Sequence, residues 1–197
     1  FIEDAGTSGG SEAYVAMLRR KGFLPKGNRS DGKRIFESDT GELYLDNERK
    51  FMTVNTPRLQ GVCALAGTPA KLADFEVVSH SRAGNLSLAA MDGLKPIRTA
   101  NRLLLVRLTN ALNSGMKFTD QDMCQVETFG SVPPLLLNSR FTIRIRNHRA
   151  AELQMIPLSL EGRPTGKNLA PVSVENGVAT FSVDTAKDGN TVFFEIR

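Results

Sequence analysis

The segment Phe141-Thr142-Ile143-Arg144-Ile145-Arg146 alternates apolar and polar side chains without a break. Successive side chains of a strand point to opposite faces, so the three apolar residues share one face and Thr142, Arg144 and Arg146 share the other. The same period of two recurs along most of the chain. Leu43 and Leu45 alternate with Glu42, Tyr44 and Asp46, and Phe51 to Asn55 returns after the polar turn Asp46-Asn47-Glu48-Arg49, which predicts a hairpin. Phe75 and Val77 alternate with Asp74, Glu76 and Val78. Leu86, Leu88 and Ala90 alternate with Asn85, Ser87 and Ala89, with Arg82-Ala83-Gly84 as the turn between the two runs. Phe181 with Val183, then Val192, Phe194 and Ile196, form a closing pair across Lys187-Asp188-Gly189-Asn190.

Other stretches fill in the pattern. Leu59 to Ala66 is apolar, and its Gly61 marks a bulge or a close backbone approach. Arg102 to Asn110 is apolar on both parities for part of its length, which predicts a central strand covered on both faces, flanked by Arg102, Arg107 and Asn110. Asn113-Ser114-Gly115 reads as a turn, Cys124 to Phe129 as a short strand, and Pro133-Pro134 as a separator before Leu135. Leu153, Met155 and Pro157 give another strand, with a bulge at the proline. Near the start, Thr7 to Gly10 resembles a linker. Ser11 is placed to cap a helix carrying Tyr14, Met17 and Leu18, which Gly22 ends and Pro25 keeps from resuming. About a dozen short strands at near-regular spacing, with no helices alternating between them, predict an all-β antiparallel sandwich, jelly-roll or Ig-like. The expected division is a linker and short helix over 1–34 and a sandwich domain over 35–197.

Composition narrows the function classes. With 197 residues the chain is long enough for one substantial core. Lys and Arg number 25 against 21 Asp and Glu, a net charge of +4 that demands no nucleic-acid partner. No apolar run approaches membrane-spanning length. Phe1-Ile2-Glu3-Asp4 reads as the interior of a longer polypeptide. Cys63 and Cys124 are read as two buried thiols, and no cofactor or metal is expected.

Asp39-Thr40-Gly41 matches the loop of aspartic proteases, which brings two carboxylates together. Here Ser38 and Glu42 flank it, and an Asx-type turn entering a strand explains it better. His80 and His148 lack metal-ligand spacing and an adjacent nucleophile-acid pair, so both are assigned structural roles. The basic cluster Arg19, Arg20 and Lys21 suits a helix C-terminus. Glycosidase chemistry needs two facing carboxylates, and context singles out none of Asp74, Glu76, Asp120, Asp122 and Glu127. No catalytic residue is assigned. Arg140, Arg144 and Arg146, followed by His148 and Arg149, form a stripe able to match carboxylate or sulfate oxygens in pairs. The competing expectation pairs these arginines with acids on neighbouring strands. Trp is absent and Tyr occurs twice, which disfavours a ring-stacking surface for neutral glycans. Phe193 has the outward parity of the last strand and suits an interface.

Taken in order, the turn Ser38-Asp39-Thr40-Gly41-Glu42, the run Val54 to Gly61 with Thr56-Pro57-Arg58-Leu59-Gln60, Gly67, the strand Arg102 to Asn110 with Gly115-Met116-Lys117 after it, and the closing strands resemble a known family. It is the C-terminal β-sandwich domain appended to many bacterial (β/α)8-barrel glycoside hydrolases, of the cellulase and β-galactosidase type. The resemblance runs from about Leu18 to the C-terminus. It implies an accessory domain without catalytic carboxylates, which lie in the barrel. The implied partner is that upstream catalytic domain of the same polypeptide, with no nucleic acid and no membrane. The alternative expectation is a carbohydrate-binding module that takes acidic polysaccharide on the arginine stripe.

Overall fold

A computed structural model of the chain describes residues 10–120 and 123–197. One helix, α1 (Gly10–Arg20), precedes β1 (Ile35–Glu37), β2 (Leu43–Asp46), β3 (Phe51–Asn55), β4 (Leu59–Ala64), β5 (Ala70–Lys71) and β6 (Phe75–His80). Then come β7 (Gly84–Ala90), β8 (Leu103–Leu108), β9 (Ala111–Ser114), β10 (Lys117–Phe118), β11 (Val126–Thr128) and β12 (Ser131–Leu136). The chain closes with β13 (Arg140–Arg146), β14 (Met155–Leu158), β15 (Ser173–Glu175), β16 (Val178–Asp184) and β17 (Phe193–Ile196). A large sheet has the order β1-β2-β3-β4-β7-β8-β17-β14, and a small sheet β15-β16-β13-β6-β5. All these pairs are antiparallel. Two further pairs, β9 with β12 and β10 with β11, stand apart from both sheets.

The sheets face one another across a single core. Leu86, Leu88, Leu103, Leu105, Phe194 and Ile196 come from the large sheet, and Phe75, Val77, Phe141, Ile143, Ile145 and Phe181 from the small one. Phe141 and Phe194 meet edge to face across the gap, with centroids 6.1 Å apart. Each buried side chain of this size contributes about 1.5–3 kcal/mol. The chain is therefore an all-β antiparallel sandwich, and the residues that alternate in sequence are the ones that fill it.

Several local expectations need correction. The Ser11 hydroxyl does not cap the helix; it donates to the carbonyl of Gly32 instead. Gly61 lies in an unbroken register with β3 and β7, so it marks close packing and no bulge: a Cβ there would come within 2.8 Å of Ser87 Cβ. β8 is covered on one face only, because Leu104 and Val106 are half-exposed while Leu103 and Leu105 are fully buried. Pro133 and Pro134 do not separate strands; both lie within β12. Cys63 and Cys124 do not pair with each other, and both are exposed where burial was expected.

The second large correction concerns Arg107. Read from sequence as a flanking polar residue, it has core parity on β8 and is 1% exposed. Among the described residues no carboxylate pairs with it. Its Nε and Nη2 both donate to Ser139 Oγ, at 3.1 and 2.9 Å. Nη1 donates to the carbonyls of Asn85 and Leu108, at 3.2 and 3.3 Å, and Nη2 to that of Arg82 at 2.7 Å. Burial pulls its pKa down to about 10, so the guanidinium remains charged at neutral pH. Five hydrogen bonds to protein oxygens replace the water that burial removes from this cation.

The N-terminal segment is fastened by another arginine. Arg29 donates from Nε and Nη2 to Glu37 Oε1 at 3.0 and 2.6 Å, and its backbone N–H donates to Oε2 at 2.7 Å. The same guanidinium lies 4.2 Å from the centroid of the Tyr44 ring. These bonds hold the Glu37 carboxyl below its ordinary range.

Two outcomes follow from these contacts. Arg107→Met keeps the length but strands Ser139 and three carbonyls, and is expected to cost roughly 2–4 kcal/mol, seen as a fall in Tm of roughly 5–15 °C. Arg107→Lys should fall between, since an ammonium has fewer donors in a different geometry. A Tm for Arg107→Met equal to that of the parent chain would contradict this role. Because the Glu37 pKa is lowered by folding, its contribution is present above the unfolded-state value of about 4.5 and is lost as pH falls through the lower folded-state value. Denaturant titrations of Glu37→Gln should show reduced stability at pH 7 and a loss that shrinks progressively as pH falls below the ordinary carboxyl range; an equal loss at neutral and at acid pH would remove the electrostatic account.

Candidate interaction surfaces

The outward faces of the two sheets differ in chemistry, and the difference follows from strand parity. On β13 the core takes Phe141, Ile143 and Ile145, so Arg140, Thr142, Arg144 and Arg146 face outward. The strands on either side place Glu76, Thr180, Ser182 and Asp184 beside them. Arg140 pairs with Asp184 at 3.5 Å and Arg144 with Glu76 at 3.4 Å. Arg146 continues the stripe and its backbone N–H donates to Asp74 O. The outer face of the small sheet is thus polar, with two of its three stripe arginines matched by acids. Arg149 does not join this stripe. It lies in the turn after β13, bonds Glu152 at 2.9 Å, and lines a separate cleft with Arg102 and Arg197.

The outer face of the large sheet is apolar. Leu43 and Leu45 of β2 lie beside Val54 and Met52 of β3, and these beside Gly61 and Cys63 of β4. The row continues through Ser87 and Ala89 to Val106 and Leu104, then to Phe193. Leu43, Met52, Leu59 and Leu108 are each more than two-fifths exposed. Phe193 has the outward parity expected of it and is half-buried, with Val106 and Leu158 as cross-strand neighbours. Where Gly61 lacks a side chain, Met52, Val54, Leu59 and Cys63 border a groove of about 180 Å³.

A second apolar surface is the arm formed by residues 109–120 and 123–137. Its base is fastened by Leu137 N–H to Asn110 O at 2.9 Å and by Thr109 Oγ1 to Leu137 O at 2.5 Å. Beyond that base every residue of β12 is exposed, and Phe129 and Val132 are the most open, at 72% and 83%. Sequence reasoning missed the arm as a unit, because its strands are short and its apolar residues do not alternate. The run of five consecutive proline or leucine positions, Pro133 to Leu137, was the available signal.

The remaining candidates have local roles. Asp39 accepts the N–H of Thr40, and Gly41 takes a φ of 73°, so Asp39-Thr40-Gly41 is a turn entering β2. His80 is buried, with Nδ1 2.7 Å from Arg82 O and Nε2 3.0 Å from Thr68 O; His148 is exposed, 3.3 Å from Arg98 O. Arg19 donates to the carbonyls of Asn28 and Ser30. Asp74 is buried against Arg98 at 2.8 Å, Glu76 serves Arg144, and Asp120 accepts the N–H of Cys124. Glu127 is exposed, and Asp122 lies outside the described residues. Among the described residues no three or more His, Cys, Asp or Glu side chains cluster as a metal site, and no helix is long and apolar enough to cross a membrane. Comparison with protein-family models, with curated proteins and with solved structures finds no match.

Proposed function

We propose that this chain is a non-catalytic accessory domain of a glycoside-hydrolase-type protein, and that it docks on the catalytic barrel through the apolar outer face of its large sheet. The observation that carries this reading is the asymmetry of the sandwich. One outer face is polar and ion-paired; the other presents Leu43, Met52, Leu59 and Leu108 to solvent over several adjacent strands. Contiguous exposed apolar surface of this kind marks contact with another protein surface. Domain interfaces within one chain use such surfaces at moderate size. The exposed arm residues Phe129, Val132 and Leu135 offer a second contact. The order of the Ser38–Glu42 turn, the Thr56–Gln60 segment and the later strands supplies the glycoside-hydrolase assignment, by resemblance. In this role the domain supports the barrel and shapes the edge of its cleft.

The isolated chain should self-associate in sedimentation velocity as its concentration rises. The double variant Met52→Lys, Leu59→Lys should sediment as a monomer with a Tm close to the parent's, since both side chains are already partly in water. The coding sequence upstream of Phe1 should encode a barrel with paired carboxylates, and the same double variant should weaken its hold on that barrel. A parent chain that stays monodisperse and monomeric, or a double variant that associates equally well, would sink the docking reading. An upstream sequence without a barrel would remove the glycoside-hydrolase assignment.

A further inference from the structure

A cleft of about 700 Å³ opens where the ends of β8, β17 and β14 meet the turn after β13. Its volume falls within the roughly 300–1,000 Å³ common for small-molecule sites. Three guanidiniums line it, from Arg102, Arg149 and Arg197. The one lining carboxylate, Glu195, is largely buried and takes Arg102 Nε at 2.8 Å and Arg197 Nη1 at 3.8 Å on the same oxygen. Two cations thus share one anion. Arg149 turns its Nε to Glu152, which lies outside the cleft. Three guanidiniums thus meet two carboxylates, Glu195 and Glu152, an excess of one positive charge among these side chains, and the terminal nitrogens of Arg102 and Arg149 have no hydrogen-bond partner among the described residues.

Three side-chain carboxamides complete the polar lining: Asn101, Gln154 and Asn168. None makes a side-chain hydrogen bond among the described residues, and each offers both a donor and an acceptor. The buried Ile156 is the apolar residue of the lining. No aromatic ring lines the cleft, so a ligand is held by hydrogen bonds and charge, with no stacking.

We propose that this cleft binds an acidic saccharide, a uronic acid or a short chain of them. Guanidiniums match a carboxylate in pairs. Carboxamides match vicinal hydroxyls, each of which donates and accepts. A neutral sugar would leave the excess charge unmatched, and a simple inorganic anion would leave the carboxamides unused. This site is separate from the Arg140–Arg146 stripe, where two of three arginines already have acids. It adjoins the apolar face used for docking, where Glu195 lies beside Leu104, but shares none of that face's exposed side chains, so each reading is tested by its own variants.

The test is an NMR titration of the ¹⁵N-labelled chain with glucuronate, glucose and inorganic sulfate in parallel. Glucuronate should shift the side-chain amides of Asn101, Gln154 and Asn168 saturably, and its binding should weaken as salt rises. Glucose should bind far more weakly. Arg149→Gln and Asn168→Ala, both outside the core, should each weaken glucuronate about tenfold with Tm unchanged. Sulfate binding as tightly as glucuronate would reduce the cleft to a plain anion site and overturn the saccharide assignment. So would the absence of any glucuronate-induced shift at these amides, or full affinity in a well-folded Arg149→Gln.

Discussion

One buried cation governs how the two sheets are joined. Among the described residues the chain crosses between the two sheets six times, and two of these passages, β6 to β7 and β8 to β13, meet at Arg107. It holds Arg82 and Asn85 of the first, and Leu108 and Ser139 of the second. The Ser139 N–H in turn donates to Thr185 Oγ1, and the Thr185 N–H donates back to the Ser139 carbonyl, just past the end of β16. The Arg82 carbonyl is approached from the other side by His80. A single planar group with five donors can serve carbonyls arriving from several directions, which no aliphatic side chain can do. The cost is felt nearby: Gly84, at a φ of 137°, has Leu108 O only 2.1 Å from where a Cβ would stand, so only glycine lets the strand past.

How much of this could be read in advance depended on period. Phe141, Ile143 and Ile145 alternate strictly, and they occupy the core as expected, as do Phe75, Phe181 and Phe194. Period-two patterns are a direct image of a half-buried sheet. Arg107 departs from the expectation that a polar residue flanks the strand, because its parity with Leu103 and Leu105 points it inward. The outer face of β8 was misread for a related reason: Leu104 and Val106 are apolar, yet nothing in the described chain covers them fully. Continuous apolar runs do not distinguish a strand buried on both sides from one whose second side awaits a partner. The cleft between Arg102, Arg149 and Arg197 was not legible at all. These residues lie far apart in sequence, and only the antiparallel order β8-β17-β14 gathers them.

The surfaces divide the molecule's work by chemistry. Ion pairs finish the small sheet, where the exposed pairs of Arg140 and Arg144 add little to stability but keep the face solvated. The large sheet leaves its apolar row open. The cleft lies beyond that row, on strands whose outward residues change from Phe193 to Glu195 within two positions. An apolar contact and a polar pocket can therefore sit on the same sheet without competing for the same side chains.

The arm exposes large apolar side chains on a short, free strand, an arrangement that ordinarily invites other chains to add on edge to edge. Consecutive residues of a strand direct their N–H groups to opposite sides, so Pro133 followed by Pro134 deletes one donor from each side. On the inner side the loss is absorbed by the register shift between Ser131 and Pro134. On the outer side it leaves a gap in the row of donors that an incoming strand would need. The arm can thus present Val132 and Leu135 as a sticky surface while refusing to act as a template for growing sheets.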